Sequence, residues 1–316
     1  MRYIVKRLLI SIPLLLGITF ISFGIMKLAP GDPATMFLDP HMSLADMAQV
    51  RHNLGLDRPV HVQYFFWLKS ILSGDMGYST LSGKPVFLAI VERLPATLLL
   101  SVTSLILILV ITFPLGLISG AKKGGRFDHW VTILSFIGLS LPTFWVGLVL
   151  ILTFSLKLGL FPTAGFADPG LSGWQQLLSI LHHMALPLIT IMVGGIAGLT
   201  RYHRFGIISI LSQDYIKAAR ARGISNRLIL YKHAFKNAAL PIITILGLEL
   251  PGLISGSFII EYIFSWPGMG QLGIASVFAR DYPILMGTIL FSAILIILGS
   301  LIADVAYAVV DPRIRR

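Results

Sequence analysis

Few residues in this sequence could perform chemistry, and they are scattered. The chain has no cysteine, so thiolate catalysis and disulfides are excluded. It has no G-x-x-x-x-G-K-[ST] phosphate loop, because proline follows its one Gly-Lys pair, Gly83-Lys84. It has no H-E-x-x-H motif, and the adjacent His182-His183 favours an interfacial or helix-start contact over a metal site. The sequence therefore predicts no catalytic residue, no metal site and no cofactor in this chain, and no enzyme.

The composition is typical of a membrane protein. Of the 316 residues 55% are apolar and only 12% are charged, and the mean hydropathy is +0.84. A soluble domain has about a quarter of its residues charged. We predict an all-α polytopic membrane protein, one domain over residues 1–316, with six spans of the length that a bilayer requires. The predicted spans are about 8–28, 95–119, 129–157, 183–203, 241–263 and 285–308.

The positions of lysine and arginine predict the orientation of these spans. The net charge is +11, and most of the 25 basic residues lie at the two termini, in the 122–126 loop and in the segment after the fourth span. With six spans these segments share one face, so both termini are predicted to be cytoplasmic. Loop 29–94 is then extracytoplasmic, with short amphipathic helices near 43–54 and 59–72. Because topology accounts for most of the charge, nucleic-acid binding is not indicated.

One cytoplasmic segment is more ordered than topology requires. Residues 212–222 are strong helix formers, and Gly223 is placed to end that helix. Ser225 is a candidate N-cap for a second helix over about 226–236. The small residues that allow another surface to approach closely are Ala218, Ala219, Ala221 and Gly223. We predict that this helix–turn–helix excursion, the loop 204–240, binds a partner; the alternative is an amphipathic element on the membrane surface.

The spacing within this loop resembles that of a known family. Three residues separate Ala218-Ala219 from Gly223, and His233, Asn237 and Pro241 follow. This order is similar to the EAA coupling loop of ABC importer permeases, and in particular to the oligopeptide, dipeptide and nickel branch. Lys217 replaces the glutamate that names the motif. The replacement favours the peptide branch, and it removes any glutamate-based contact with the ATPase.

Further motifs of the same branch follow in order along the whole chain. They are residues 31–33, 54–59, 74–79, 94–97, 264–270, 280–283 and 311–315. The resemblance implies a type I ABC importer permease fold in a bacterial or archaeal cytoplasmic membrane. The partners it implies are a second homologous permease subunit, two cytoplasmic ATPase subunits that bind ATP and Mg, an extracytoplasmic solute-binding protein, and membrane lipid. The ATPase-coupling residues it implies are Tyr215, Lys217, Ala218, Ala219, Arg222, Gly223, His233 and Asn237.

Ionisable residues within the predicted spans need a reason, because a charge at the bilayer centre costs about 2.5–3.5 kcal/mol on insertion scales. Glu249, about two turns into the fifth span, is the best candidate for lining the translocation path; an interhelical bond is its alternative. Glu261, near the outer end of that span, is a second candidate for the path, although structural pairing is favoured for it and for Asp304. Lys157 is expected to extend to the outer interface.

Three classes of function are compatible with these observations. The favoured one is a permease subunit of an ATP-driven, binding-protein-dependent importer of oligopeptides or dipeptides, with nickel or glutathione as alternative substrates. Nickel is less favoured, because the sequence shows no path rich in His, Met or Cys that could bind it. A stand-alone secondary transporter would require inverted repeats and broken helices at the midplane, and we find no convincing internal repeat. An intramembrane enzyme would require a Ser/His or Asp pair at membrane depth, and none is evident.

Overall fold

The structure, a computed structural model, describes residues 2–28, 49, 52, 55, 57–235, 237–238 and 257–310. Within these residues the regular secondary structure is helical, apart from an isolated antiparallel bridge between Tyr78 and Pro85. The described part of the chain therefore confirms the all-α class.

The helices follow one another with short connections. They are α1 (Arg2–Leu28), α2 (Val60–Leu72), α3 (Val86–Ala121), α4 (Arg126–Ser140), α5 (Thr143–Leu150), α6 (Gly173–Leu211), α7 (Asp214–Ala221), α8 (Asn226–Leu228), α9 (Phe258–Ile263), α10 (Met269–Phe278) and α11 (Tyr282–Val310). Two π-helical segments, Ile151–Lys157 and Ile229–Phe235, extend α5 and α8.

Helices α1, α3, α6 and α11 are long and apolar enough to cross a membrane, and α4 with α5 makes up to a fifth span. They overlap the predicted spans, although α3 and α6 are considerably longer than predicted. The segment 239–256, which includes Glu249 and most of the predicted fifth span, lies outside the described residues. The total of six spans therefore stays a prediction. In loop 29–94, α2 coincides with the amphipathic helix predicted near 59–72, and the one near 43–54 lies almost wholly outside the described residues.

The predicted third span, 129–157, is not one straight helix. Helices α4 and α5 meet at a bend of 98°. Pro142 lacks an amide N–H, and it holds Leu141 in an extended conformation (φ −86°, ψ 128°), so α4 ends there. The prolines that lie inside helices are Pro13, Pro95, Pro114 and Pro187.

Helices α3 and α6 run parallel and approach each other closely. The opposed pairs are Gly116 with His203, Gly120 with Ile207, and Ile108 with Gly195, and the members of every pair are 87 residues apart. A constant offset of this kind requires two helices that run in the same direction. A Cβ on Gly120 would lie 2.7 Å from the side chain of Ile207, so only glycine fits. Small residues at this spacing are typical of close helix contacts in membranes.

The other elements pack around this pair. Helix α4 lies against α6, where Gly138 faces Ala197. Helices α1 and α11 pack together through Phe23, Met26 and Met286. The short helices α2, α9 and α10 gather where α3 and α11 begin, and α7 and α8 gather where α3 and α6 end. The fold therefore has two distinct ends, which we call the α10 end and the hairpin end.

Replacing Gly120 with alanine tests the α3–α6 contact. Alanine raises helix propensity by up to about 1 kcal/mol, but its Cβ would also approach the Arg204 carbonyl to 3.0 Å. Overpacking of this kind costs about 1–3 kcal/mol, so we expect a lower midpoint in thermal unfolding of the detergent-solubilised protein. Gly194→Ala is the matched control, because nothing lies within 4 Å of its added Cβ. Equal midpoints for both variants would contradict the proposed packing.

Candidate functional site

The α7–α8 hairpin, residues 212–238, continues directly from α6. Only Ser212 and Gln213 separate α6 from α7. Gly223 follows α7 with φ +79°, a conformation that strongly favours glycine. The Ser225 hydroxyl accepts a hydrogen bond from the Leu228 N–H at 3.4 Å, which caps α8. The sequence therefore predicts both the end of α7 and the start of α8 correctly.

A small apolar core holds the two arms of the hairpin together. Ile216, Ala219 and Ile229 are buried against one another, and Ile210, Leu211 and Ile224 pack beside them. Ala219 is only 5% exposed. In this conformation Ala219 lies inside the hairpin, and its contact with an ATPase stays a prediction. The side chain is turned inward, where its small size lets the arms approach each other.

The remaining predicted coupling residues lie mostly on the surface. The exposed ones are Tyr215, Lys217, Ala218, Arg222, Gly223 and Asn237. The Lys217 ammonium pairs with Asp214 at 2.8 Å, and the Asn237 amide donates to the Tyr215 hydroxyl at 3.2 Å, which joins the two arms. The backbone of His233 lies in the π-helical segment. The surface of the hairpin thus carries small and basic side chains.

The second arm of the hairpin attaches to the transmembrane helices. Ala234 and Ala238 are buried against Leu117 of α3 and Ile207 of α6. The Phe235 ring lies 5.5 Å from that of Phe113, centroid to centroid. A displacement of the hairpin would therefore change its packing contacts with both α3 and α6.

A buried ion pair joins three helices near the hairpin. Asp128, at the start of α4, is 1% exposed and receives two hydrogen bonds from the Arg204 guanidinium, at 2.5 and 2.7 Å. Ser119, at the end of α3, and the Gly124 N–H also donate to it. Such bidentate pairing is strong and geometrically specific. In the sequence Arg204 is one of the basic residues after the fourth span, and no local pattern indicates its partner, which lies 76 residues away.

Glu261 is fully buried at the α10 end. Its carboxylate accepts hydrogen bonds from the Thr97 hydroxyl at 2.9 Å and from the Gly270 N–H at 2.7 Å. The Trp266 indole donates to the Ala96 carbonyl at 2.8 Å. Motifs 94–97 and 264–270 therefore form one joint. Glu261 is buried and hydrogen-bonded in this conformation, as the pairing interpretation expects, and its place in the translocation path stays a prediction.

A second joint unites motifs 74–79 and 280–283. The Ser79 hydroxyl donates to the buried Asp281 carboxylate, and the Thr80 N–H donates to it at 3.3 Å. Asp281 also accepts from the Ile284 N–H, which caps α11. Four motifs that are each weak in the sequence thus meet in two pairs.

The adjacent histidines His182 and His183 each contact a backbone carbonyl. His182 Nε2 lies 2.8 Å from the Leu160 carbonyl, and His183 Nδ1 lies 2.9 Å from the Ser179 carbonyl. Both histidines lie well inside α6 and not at its start. Lys157 is exposed at the end of its π-helical segment.

Models of one protein family match nearly the whole chain. Residues 112–316 match the model described as binding-protein-dependent transport system inner membrane component, and residues 1–103 match the model of its N-terminal part. The chain belongs to this family of inner membrane components. It is therefore a multi-pass protein of the inner membrane.

Three members of the family are similar to this chain over its full length. The oligopeptide transport system permease protein AppB of Bacillus subtilis is 47% identical over 313 residues, which are 99% of this chain and 98% of AppB. The glutathione transport system permease protein GsiC of Salmonella typhimurium is 36% identical, and the dipeptide transport system permease protein DppB of Escherichia coli is 35% identical. Both comparisons cover 100% of this chain and 99% of the relative.

The fold is also similar to that of a solved structure. That structure is an inward-facing conformation of the MetNI methionine ABC transporter, with a TM-score of 0.54 at 17% sequence identity. The match covers 70% of this chain and 95% of the other. The chain described here therefore shares the fold of an ABC transporter over 70% of its length.

Asp128→Asn tests the buried ion pair. The substitution leaves the partly buried Arg204 without its charge partner, and breaking a buried pair costs up to about 3–5 kcal/mol. Because 24% of the Arg204 side chain is exposed, we expect a loss of about 2–3 kcal/mol, seen as a lower thermal midpoint in detergent. Asp214→Asn is the matched control. Its surface pair with Lys217 is worth less than about 1 kcal/mol. A similar loss in both variants would argue against the ion pair as a fold constraint.

Proposed function

We propose that this chain is one of two permease subunits in an ATP-driven, binding-protein-dependent importer of peptides. The observation that carries the proposal is the 47% identity to an oligopeptide transport system permease over almost the whole of both chains. The other relatives are permeases of dipeptide and glutathione transport systems. All three systems are named for molecules with peptide bonds, so oligopeptides or dipeptides are the proposed substrates and glutathione is the alternative.

The α7–α8 hairpin is the proposed docking element for a cytoplasmic ATPase subunit. Its exposed face carries Ala218, Arg222 and Gly223, and its second arm is anchored on α3 and α6 through Ala234 and Ala238. In this proposal ATP-driven approach of two ATPase subunits displaces the hairpins and tilts those helices. ATP hydrolysis then resets them. The ATPase subunits bind ATP and Mg, and this chain contributes no chemical step.

The remaining partners follow from the same proposal. A second, homologous permease completes the pore, and an extracytoplasmic binding protein delivers the substrate at the α10 end. The orientation requires six spans with 241–263 as the fifth, and both termini in the cytoplasm. The antiparallel packing of α1 and α11 supports this, because α1 ends and α11 begins at the α10 end. Glu249 remains the proposed residue of the translocation path.

Docking is tested best at Ala218. Ala219 is buried in the hairpin, and any replacement of Gly223 strains the backbone; substitution of either would disturb the hairpin itself. Ala218→Asp adds a charge to the exposed face. We expect co-purification of the ATPase, peptide uptake and peptide-stimulated ATP hydrolysis each to fall by about tenfold, which corresponds to a loss of about 1.4 kcal/mol of binding. Membrane insertion should be normal.

The control for this variant is Ala164→Asp, which adds the same charge at an exposed position near the α10 end. Its co-purification with the ATPase should be unchanged. If Ala218→Asp inserted normally and retained both uptake and ATPase coupling, the hairpin would not be the docking element.

The substrate class is tested by uptake into proteoliposomes that contain the complete transporter. We expect ATP-dependent, saturable uptake of a labelled oligopeptide, competed by dipeptides and not by Ni²⁺. Competition by glutathione alone would instead support the glutathione alternative. Uptake by this chain alone, driven by an ion gradient, would support a secondary transporter and overturn the proposal.

A further inference from the structure

Three buried side chains near the hairpin end have polar atoms that make no hydrogen bond within the described part of the chain. They are Thr112 on α3 and Thr200 and His203 on α6. None is more than 1% exposed. More than nine in ten buried polar groups in proteins are paired, and an unpaired one is destabilising. Three in one region therefore require an explanation.

The parallel packing of α3 and α6 brings the three residues together. The offset of 87 residues places Gly116 opposite His203, and Thr112 lies one helical turn before Gly116 on the same face of α3. Thr200 lies one helical turn before His203, on the same face of α6. A Cβ on Gly116 would lie 2.7 Å from Nδ1 of His203, so glycine is required for the imidazole to enter the contact. We call Thr112, Thr200 and His203 the polar cluster.

The polar cluster touches the hairpin through aromatic rings. The His203 ring lies 5.2 Å from Phe113 on α3 and 5.8 Å from Phe235, centroid to centroid. Phe235 is the last residue of the π-helical segment of the hairpin. Movement of this arm therefore changes the surroundings of His203.

Hydrogen-bond partners are present near the cluster but are not used. The imidazole has one donor and one acceptor nitrogen when neutral, and it faces the backbone of Thr112 and Phe113 without forming a hydrogen bond of normal geometry. Elsewhere on α6, the Thr190 hydroxyl donates to the Leu186 carbonyl at 2.8 Å. The hydroxyls of Thr112 and Thr200 make no such bond.

We propose that the polar cluster is a conformational switch of the transport cycle. Its groups are unpaired in this conformation and form hydrogen bonds in the alternative one, which is reached when the hairpin arm that carries Phe235 moves. The unpaired groups raise the free energy of this conformation and so keep the two conformations close in energy. The inference rests on the proposed function, because it takes the hairpin as the element that an ATPase displaces.

The test replaces the polar groups with apolar ones of similar shape, in Thr200→Val and His203→Phe, within the complete transporter. In both variants the lost polar groups are unpaired in this conformation and hydrogen-bonded in the alternative one, so only the alternative conformation loses hydrogen bonds. We therefore expect the thermal midpoint of the permease in detergent to rise by a few degrees. Because the alternative conformation is then populated less, peptide uptake and peptide-stimulated ATP hydrolysis should fall about fivefold or more. A purely structural role would make stability and transport fall together.

Thr190→Val is the matched control. Thr190 is equally buried on the same helix, but its hydroxyl is hydrogen-bonded, so this variant should lower the midpoint. Two results would overturn the proposal. A lower midpoint for Thr200→Val would mean that the cluster is already paired, for example through buried water. A higher midpoint with unchanged uptake would mean that the unpaired groups have no part in transport. The midpoint needs no ATPase, so this failure is distinguishable from failure of hairpin docking.

Discussion

The close parallel contact between α3 and α6 is the constraint on which the rest of the structure depends. Glycines at Gly116, Gly120 and Gly195 bring the two helices together. Near one end of the contact, Leu100 and Met184 form a buried surface for Trp266 and the elements around it. At the other end, Leu117, Ile207 and their neighbours receive the second arm of the hairpin. A single helix pair thus connects both ends of the molecule.

Buried acids at both ends of the molecule lie at the N-termini of helices. Asp128 lies in the first turn of α4, Asp281 caps α11, and Glu261 accepts hydrogen bonds from the first turn of α10. The N-terminal N–H groups of a helix have no partner within the helix, and the helix dipole favours negative charge there. Carboxylates at these places are therefore stabilised even away from water. The same acids fasten loops to helices that are distant in sequence.

Features governed by neighbouring residues were predictable from the sequence. Gly223 and Ser225 define their turn because φ above zero and N-capping are local requirements, and α2 coincides with the predicted helix for similar reasons. The pairing of Thr97 with Glu261 spans 164 residues, and no local pattern in one sequence contains it. The burial of Ala219 was equally unpredictable from the sequence, because a small residue suits a helix contact and a docking surface alike.

The bend at Pro142 shows a related limit. Prolines also lie inside α1, α3 and α6, where the helix continues through them. Proline by itself therefore does not distinguish an uninterrupted span from a broken one. The neighbouring packing decides, since other helices must satisfy the freed backbone groups.

The length of α6 would amplify a movement of the hairpin. Its 39 residues extend over about 58 Å, and the Asp128–Arg204 pair ties its hairpin end to α3 and α4. If the hairpin is displaced as proposed, α6 would turn about this ion pair, with a short arm toward the hairpin and a long arm toward the α10 end. The arm from Arg204 to Gly173 is about 46 Å long, so a tilt of about 5° would move its far end by about 4 Å. Such a rotation would move contacts at the α10 end farther than contacts near the hairpin.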